Sequence, residues 1–336
     1  MLNKLTYYET GSTDPAFNLA LEQALGESEL GQALFMLWQN EPAVIIGRHQ
    51  NAWSEVNLSV LEERGIKLVR RLTGGGAVYH DLGNLNFTFI LPCPQGKEPS
   101  QKCILRPLLD YFGALGLKVV MEGRNDISLK GCGKISGLAG RRLPGKFLLH
   151  GTILYDVNLD VLSEVLLVDP AKYRSKGVQS VRARVCNLRE HADISLAELE
   201  QGIKSSYPIE PLPLPAQIRD RADELKSRRY ANAAWNLGMS PPGDIRLSTR
   251  FSFGSVQLNL ATTGAVISQA RITGDFLTSN AADQLVEVEE LAQALIGLPA
   301  HDPKTWAAAW SRFDFSRVFF NCADGAEIIA WLSRID

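Results

Sequence analysis

The stretch RRLTGGGAVYHDLGN at residues 70–84 constrains this chain more than any other. Two arginines, a threonine and three successive glycines fall within seven residues, Arg70 to Gly76. Lys67-Leu68-Val69 enters the motif and Asn86-Phe87-Thr88-Phe89-Ile90-Leu91 leaves it, which predicts strand, glycine loop, strand. Glycines let backbone amides approach a ligand unobstructed, and a cluster of such amides forms an anion-binding concavity. Arginines beside it supply paired donors for phosphate or carboxylate. The segment is therefore a candidate site for an anionic small molecule. The competing reading is a tight hairpin turn with its arginines in solvent. Two other glycine loops are excluded, because no G-x-G-x-x-G opens a helix and no complete P-loop exists. Gly131-Cys132-Gly133-Lys134 comes near, but Ser128 replaces the first P-loop glycine and Ile135 the Ser/Thr.

A chain of 336 residues fits one large domain with a smaller one, or two of similar size. A net charge of −2 gives no push towards bulk nucleic-acid binding. The five cysteines (Cys93, Cys103, Cys132, Cys186, Cys322) show neither C-x-x-C metal spacing nor a disulfide framework, so a reducing, cytoplasmic setting is expected. Residues 1–9 lack the apolar stretch of a signal peptide. No run of about 18 apolar residues exists to span a membrane.

Ser12-Thr13-Asp14-Pro15 predicts a helix start. Phe17, Ala20, Leu21, Ala24 and Leu25 follow at helical spacing, and Gly26 closes the run. Asn18 and Glu22 lie one turn apart on one side of this helix. Further helices are expected over 57–64, 101–115, 158–167, 197–207 and 216–229, with strands over 34–39, 43–47, 117–122, 126–130, 134–139 and 147–157. The basic stretch 172–187 has no clean period and reads as a loop. Four prolines within 208–215 read as the start of a linker, and Gly238-Met239-Ser240-Pro241-Pro242-Gly243 marks a second break. Beyond it, 250–260 and 265–272 alternate around Thr262-Thr263-Gly264 as a hairpin, with helices over 284–296, 303–312 and 325–332. The expected division is a unit over 1–245, including the linker, and a smaller α+β unit over 246–336.

A second polar set follows the glycine loop. Lys134-Ile135-Ser136-Gly137 places a lysine at the start of an apolar strand, and Leu148-Leu149-His150-Gly151-Thr152 places a histidine beside a glycine. Three of the five histidines (His49, His80, His150) sit in such segments of the N-terminal half. With Gly123-Arg124-Asn125-Asp126, Lys176-Gly177 followed by Ser180, Arg182 and Arg184, the Ile46–Asn51 element with Glu55 and Asn57, and Trp235 through Pro241, the pattern covers nearly the whole chain in order. In this joint pattern the chain resembles the lipoate–protein ligases of the long type with a C-terminal accessory domain, within the biotin/lipoate ligase superfamily.

The resemblance implies an α+β fold, with a biotin/lipoyl-ligase-like catalytic domain of mixed sheets and flanking helices plus a smaller accessory domain. It implies two half-reactions: lipoate (or octanoate) and ATP give lipoyl-AMP and pyrophosphate, and a lysine of an acceptor lipoyl domain then takes the acyl group. The acceptors would be the E2 subunits of 2-oxoacid dehydrogenases and the glycine cleavage H protein, and the ligase a monomer. Lys134 would be the central cation, facing the acyl oxygen and the α-phosphate. Arg71, Thr73, Gly74, Gly75 and Gly76 would wall the acyl and phosphate groups. His80, Asn84, His150 and Thr152 would line the lipoate or lipoyl-AMP. Asp126, Lys176, Ser180, Arg182 and Arg184 would bind the nucleotide, with Asp126 also meeting Mg²⁺, which favours one or two carboxylates with phosphate oxygens. The basic loop would close over ATP and exclude water.

Three rivals remain at this stage. An octanoyl or lipoyl amidotransferase shares the fold but works through a cysteine thioester, and Cys132 lies two residues from Lys134. Against it, Cys132 has no cation or histidine adjacent in sequence. A biotin ligase would carry a different glycine-arginine loop. A non-catalytic lipoyl-domain binder would have no reason to retain Lys134, His80 and Asp126. The Trp306 and Trp310 pair of the accessory region reads as packing.

Overall fold

Alternate residues of a single strand enter two different cores, and this organises the larger part of the molecule. In the computed structural model, which describes residues 4–93, 99–123, 125–167, 185–237, 245–278, 284–320, 322 and 325–334, Leu34, Met36 and Trp38 pack on one face of their strand. Phe35 and Leu37 pack on the other. Successive strand side chains point to opposite faces, so a strand covered on both sides is apolar throughout.

In chain order the elements are β1 (Leu5–Tyr7), α1 (Pro15–Glu27), β2 (Leu34–Trp38), β3 (Ala43–Ile46), α2 (Ala52–Glu55), α3 (Leu58–Arg64), β4 (Lys67–Arg70), β5 (Val78–His80), β6 (Asn84–Pro92), α4 (Gln101–Ala114), β7 (Val119–Glu122), β8 (Asp126–Leu129), β9 (Gly133–Leu143) and β10 (Lys146–Leu154). β11 (Ile209–Pro211) follows, then β12 (Ile245–Phe251), β13 (Gly254–Thr263) and β14 (Val266–Gly274). The large sheet runs β11-β1-β2-β6-β10-β9-β8-β7. A small sheet runs β4-β3-β5, and a third runs β12-β13-β14. The α+β class expected from the sequence holds.

Helix α1 starts as its sequence predicts: the Asp14 carboxylate accepts from the Ala16 amide and Pro15 opens the first turn. Gly26 does not end it. A Cβ there would lie 2.4 Å from Leu143 Cδ1, so the glycine lets β9 pack close while the helix continues to Glu27. The proline-rich stretch is not a linker at its start. Ile209–Pro211 pairs in parallel with Leu5–Tyr7 at the sheet edge, where a proline's missing N–H is tolerated.

Residues 245–332 have their own core, with Leu258, Leu260, Phe276, Leu291, Trp306 and Trp310 fully buried. The hairpin expected over 250–272 is three strands, because the chain turns between Phe251 and Gly254. Trp306 and Trp310 each give their indole N–H to a core carbonyl, at Pro299 and Leu291. The breaks at 238–243 and most of the basic stretch 172–187 lie outside the described residues.

Candidate active site

The glycine motif is not a hairpin. β4 pairs in parallel with β3 and β5 antiparallel with its other edge, so residues 71–77 cross over β3. Gly75, at φ +87°, makes the reversal. Gly74 answers to a different need, since a Cβ there would stand 2.2 Å from the Phe276 carbonyl oxygen. The loop is thus pressed against the C-terminal unit, where the His49 ring also stacks on Phe276 at 4.9 Å and the His49 backbone carbonyl accepts from the Gly274 amide.

The two arginines hold backbone in this structure. Arg70 is fully buried and donates to the carbonyls of Gly47, Arg48, Gln50, Trp235 and Asn236. The Trp235 indole answers by donating to the Arg70 carbonyl at 2.8 Å. Arg71 donates to the carbonyls of Ile45, Gly74 and Gly76 and to Thr73 Oγ1. Burial brings each guanidinium down to about 10, still cationic at neutral pH. The expectation that both offer paired donors to an anion is corrected for Arg70, whose fork is filled by carbonyls, while Arg71 shapes the loop and contributes to a cavity wall.

That cavity, counted together with its open mouth, has about 590 Å³ of empty space. Its apolar wall includes Leu19, Trp38, Ile45, Val78 and Leu138, and its polar wall includes His80, Asn86, Asn125, Lys134, His150 and Thr152. The polar residues come from strand alternation. Asn84, Asn86 and Thr88 on β6 alternate with Leu85, Phe87 and Phe89, which face the opposite core. Thr88 pairs with His150 and Asn86 with Thr152, so neighbouring strands put their polar side chains in one band.

Both histidines are set by α1. The His150 ring faces the Glu22 carboxylate through Nδ1 at 3.0 Å and Thr73 Oγ1 through Nε2 at 2.9 Å. Arg71 Nε donates to Thr73 Oγ1, which leaves the hydroxyl proton for His150 Nε2 and the ring proton on Nδ1, towards Glu22. Thr88 donates to Glu22 and accepts from the Trp38 indole. One turn earlier, Asn18 Nδ2 donates to Asn40 Oδ1, and the Asn40 amide donates to His80 Nδ1 at 3.0 Å. His80 therefore carries its proton on Nε2, a buried donor with no partner among the described residues. Burial, then Arg71 and His150, push its pKa down to about 3, so the ring stays neutral.

Lys134 stands beside a β-bulge. Ser128 pairs with Lys134 and Ile127 with Ser136, so Ile135 is the extra residue. Such irregularities re-aim side chains. Lys134 Nζ lies 2.7 Å from Asp126 Oδ1, both half-exposed. Thr152 Oγ1 accepts the Gly137 amide alongside at 3.0 Å.

Of the sequence-predicted residues, Arg71, Gly75, Gly76, His80, Lys134, His150 and Thr152 line one cavity. Thr73 acts through His150, Gly74 faces the C-terminal unit, and Asn84 acts through Asn86, which it contacts at 2.9 Å. Asp126 meets Lys134. Lys176, Ser180, Arg182 and Arg184 lie outside the described residues. The sequence paired Glu22 with Asn18 on one side of α1 and placed Asn125 in the Gly123–Asp126 motif, but neither was assigned to the site, and Asn86 was read only as part of a strand. Cys132 has no histidine adjacent in sequence, yet the fold brings His191 Nε2 to 3.2 Å from its sulfur. Neither residue lines the cavity.

Comparison with known proteins agrees with this geometry. The model of the lipoyl protein ligase A/B catalytic domain matches residues 14–207, and that of the bacterial lipoate protein ligase C-terminus matches residues 240–332. Lipoate–protein ligase 1 of Staphylococcus aureus is 33% identical over 329 residues, covering 96% of this chain and 97% of that one. Lipoate-protein ligase LplJ of Bacillus subtilis is 34% identical, covering 84% and 87%. Among solved structures, a lipoate-protein ligase A bound with ATP is 29% identical with a TM-score of 0.59, covering 71% of this chain and all of its own. The bipartite lipoate ligase of Thermoplasma acidophilum, solved in a study of it and its E2 lipoyl domain, is 30% identical with a TM-score of 0.62, covering 72% and 99%. A lipoate complex of Plasmodium falciparum LipL1 shares the fold over 99% of this chain, with a TM-score of 0.78 and 23% identity. An apolar-walled cavity with Lys134 in its polar lining, both family models in order and relatives alike over most of their length lead to one assignment: this chain belongs to the lipoate–protein ligase family.

Proposed function

We propose that this ligase activates free lipoate with ATP and transfers it to a lysine ε-amine of a lipoyl domain. The observation that carries the reading is an apolar-walled cavity with the Lys134 ammonium among its polar lining, suited to a medium-length acyl chain ending in a carboxylate. A carboxylate oxygen attacks the α-phosphorus, the bond to the β-phosphate oxygen breaks, and pyrophosphate leaves. The acceptor amine then attacks the acyl carbon, AMP leaves, and the amine gives up a proton. Lys134 holds the acyl and α-phosphate oxygens through both steps, since a compact ammonium can follow an oxygen as charge builds on it. His80 offers the Nε2–H to a ligand acceptor. His150, held by Glu22 and Thr73, and Thr152 keep the cavity wall in place.

Mg²⁺ fits this site as a partner of nucleotide phosphates. The donor set includes the carboxylate of Asp126, half-exposed beside the lysine, and Mg²⁺ needs little more from protein when phosphates and water complete its shell. Asp126 would hold it there, and the ion would offset phosphate charge. Lys176, Ser180, Arg182 and Arg184 belong to the nucleotide side of the same reading. So do the acceptors (E2 subunits and the glycine cleavage H protein), a monomeric state and a cytoplasmic location. The division at 245/246 belongs there too. Among the described residues no helix is long and apolar enough to cross a membrane.

The direct test is ATP–pyrophosphate exchange that depends on added lipoate. Exchange without lipoate, or none with it, would remove the reading. A thioester transferase would need its nucleophile. The Cys132→Ala variant is expected to ligate normally, and loss of transfer from supplied lipoyl-AMP in a folded variant would favour the transferase.

A further inference from the structure

We propose that Cys132, Cys186 and His191 form a Zn²⁺ site separate from the acyl cavity. The two sulfurs and a ring nitrogen of His191 all lie within 4.8 Å of one another. Cys132 Sγ and His191 Nε2 are already 3.2 Å apart. With Zn–S near 2.3 Å and Zn–N near 2.0–2.1 Å, ligand atoms in a tetrahedral shell stand roughly 3.5–3.8 Å apart. The triangle can therefore close on one ion by small side-chain movements.

The backbone presents the three residues in advance. Cys132 sits in the turn between β8 and β9, its amide bonded to the Leu129 carbonyl at 3.1 Å. The Cys186 amide is bonded to the Lys134 carbonyl at 3.0 Å, and the His191 amide to the Leu188 carbonyl at 2.9 Å. Cys186 is buried, Cys132 half-buried and His191 exposed, which gives the site a closed floor and an open entrance. Two thiolates and an imidazole select a borderline-soft divalent ion over the hard Mg²⁺ of nucleotide chemistry. Three protein ligands leave the fourth position for water. The ion would staple the β8–β9 turn to residues 186–191, next to the strand that carries Lys134.

The two thiols lose their protons on binding, so metal uptake is accompanied by proton release. The test is titration of the reduced, chelator-treated full chain with Co²⁺ as spectroscopic stand-in, followed by displacement with Zn²⁺. One equivalent is expected to produce a thiolate-to-cobalt charge-transfer band that Zn²⁺ abolishes. Cys132→Ser removes the band, and His191→Gln weakens binding by at least about tenfold, since even outer-shell losses cost that much. Both substitutions fall at accessible positions, and circular dichroism checks that each variant is folded. Cys103→Ser, at an exposed cysteine elsewhere, leaves the titration unchanged. Absence of the band at one equivalent, its survival in folded Cys132→Ser, or its loss in Cys103→Ser overturns the proposal.

Discussion

Lys134 reaches forward along its strand, over Gly137, to place its ammonium 2.7 Å from the Asp126 carboxylate. The two are diagonal neighbours on the β8–β9 ladder, where Asp126 pairs with Gly137 itself. A half-exposed pair of this kind contributes about 0–1 kcal/mol to stability. In the proposed function its worth would lie in holding the cation at the cavity wall before substrate arrives.

Lys134→Ala is therefore expected to fold normally and to lose both half-reactions. Removing a donor that stabilises developing charge costs about 10²–10³ in rate. Lipoate-dependent pyrophosphate exchange and transfer from supplied lipoyl-AMP are the assays, with thermal unfolding as the control. Adenylation within tenfold of wild type would sink the assignment.

Gly137→Ala tests the same ammonium from its neighbour. The added Cβ would stand 2.9 Å from Lys134 Nζ and 3.0 Å from Cε. Only the far end of a flexible side chain has to move, so stability should change by no more than about 0.5 kcal/mol. The displaced ammonium should lower the adenylation rate, measured as kcat of exchange. An unchanged kcat would mean that the lysine acts from some other position.

His80 links stability to pH. Its pKa is pushed down to about 3 from an ordinary 6.5. The unfolded chain thus binds the proton that the folded chain refuses. Stability from this group is complete above pH 6.5 and is lost as pH falls towards 3, at up to about 1.4 kcal/mol per pH unit. His80→Gln, which can still accept from Asn40, should flatten that slope. Urea unfolding at pH 7.0 and at about pH 4.5 reads it, and an identical slope in the variant would show that His80 is not the group responsible.

The C-terminal unit should matter to the first step more than to the second. The three cores of the N-terminal part draw only on residues up to Leu237, so a chain ending there should fold. It would lose the contacts of Gly74 with Phe276 and of His49 with Gly274 and Phe276. We expect it to transfer from supplied lipoyl-AMP yet fail to adenylate lipoate, the step that gathers two anions and a metal. Near-normal exchange by the shortened chain would assign that unit another role.

Much of this was legible in local pattern. Asp14-Pro15 announces α1, and the alternation of Asn84, Asn86 and Thr88 with Leu85, Phe87 and Phe89 announces a strand with one polar face. The glycine motif and Lys134 are contiguous words, and the family pattern makes them specific. Those features depend on neighbours along the chain, where caps, turns and periodicity act.

What only the tertiary structure decided is partnership. The arginines at 70 and 71 look alike in sequence, yet one is enclosed by carbonyls 20 to 166 residues away and the other shapes the loop over the cavity. Asn18 and Glu22 become the anchors of His80 and His150 only because β5 and β10, strands of two different sheets, bring those rings to the same helix. Cys132 meets His191 across 59 positions. Burial forces a polar group to find a partner, but which partner it finds depends on long-range strand order, and no local pattern encodes that.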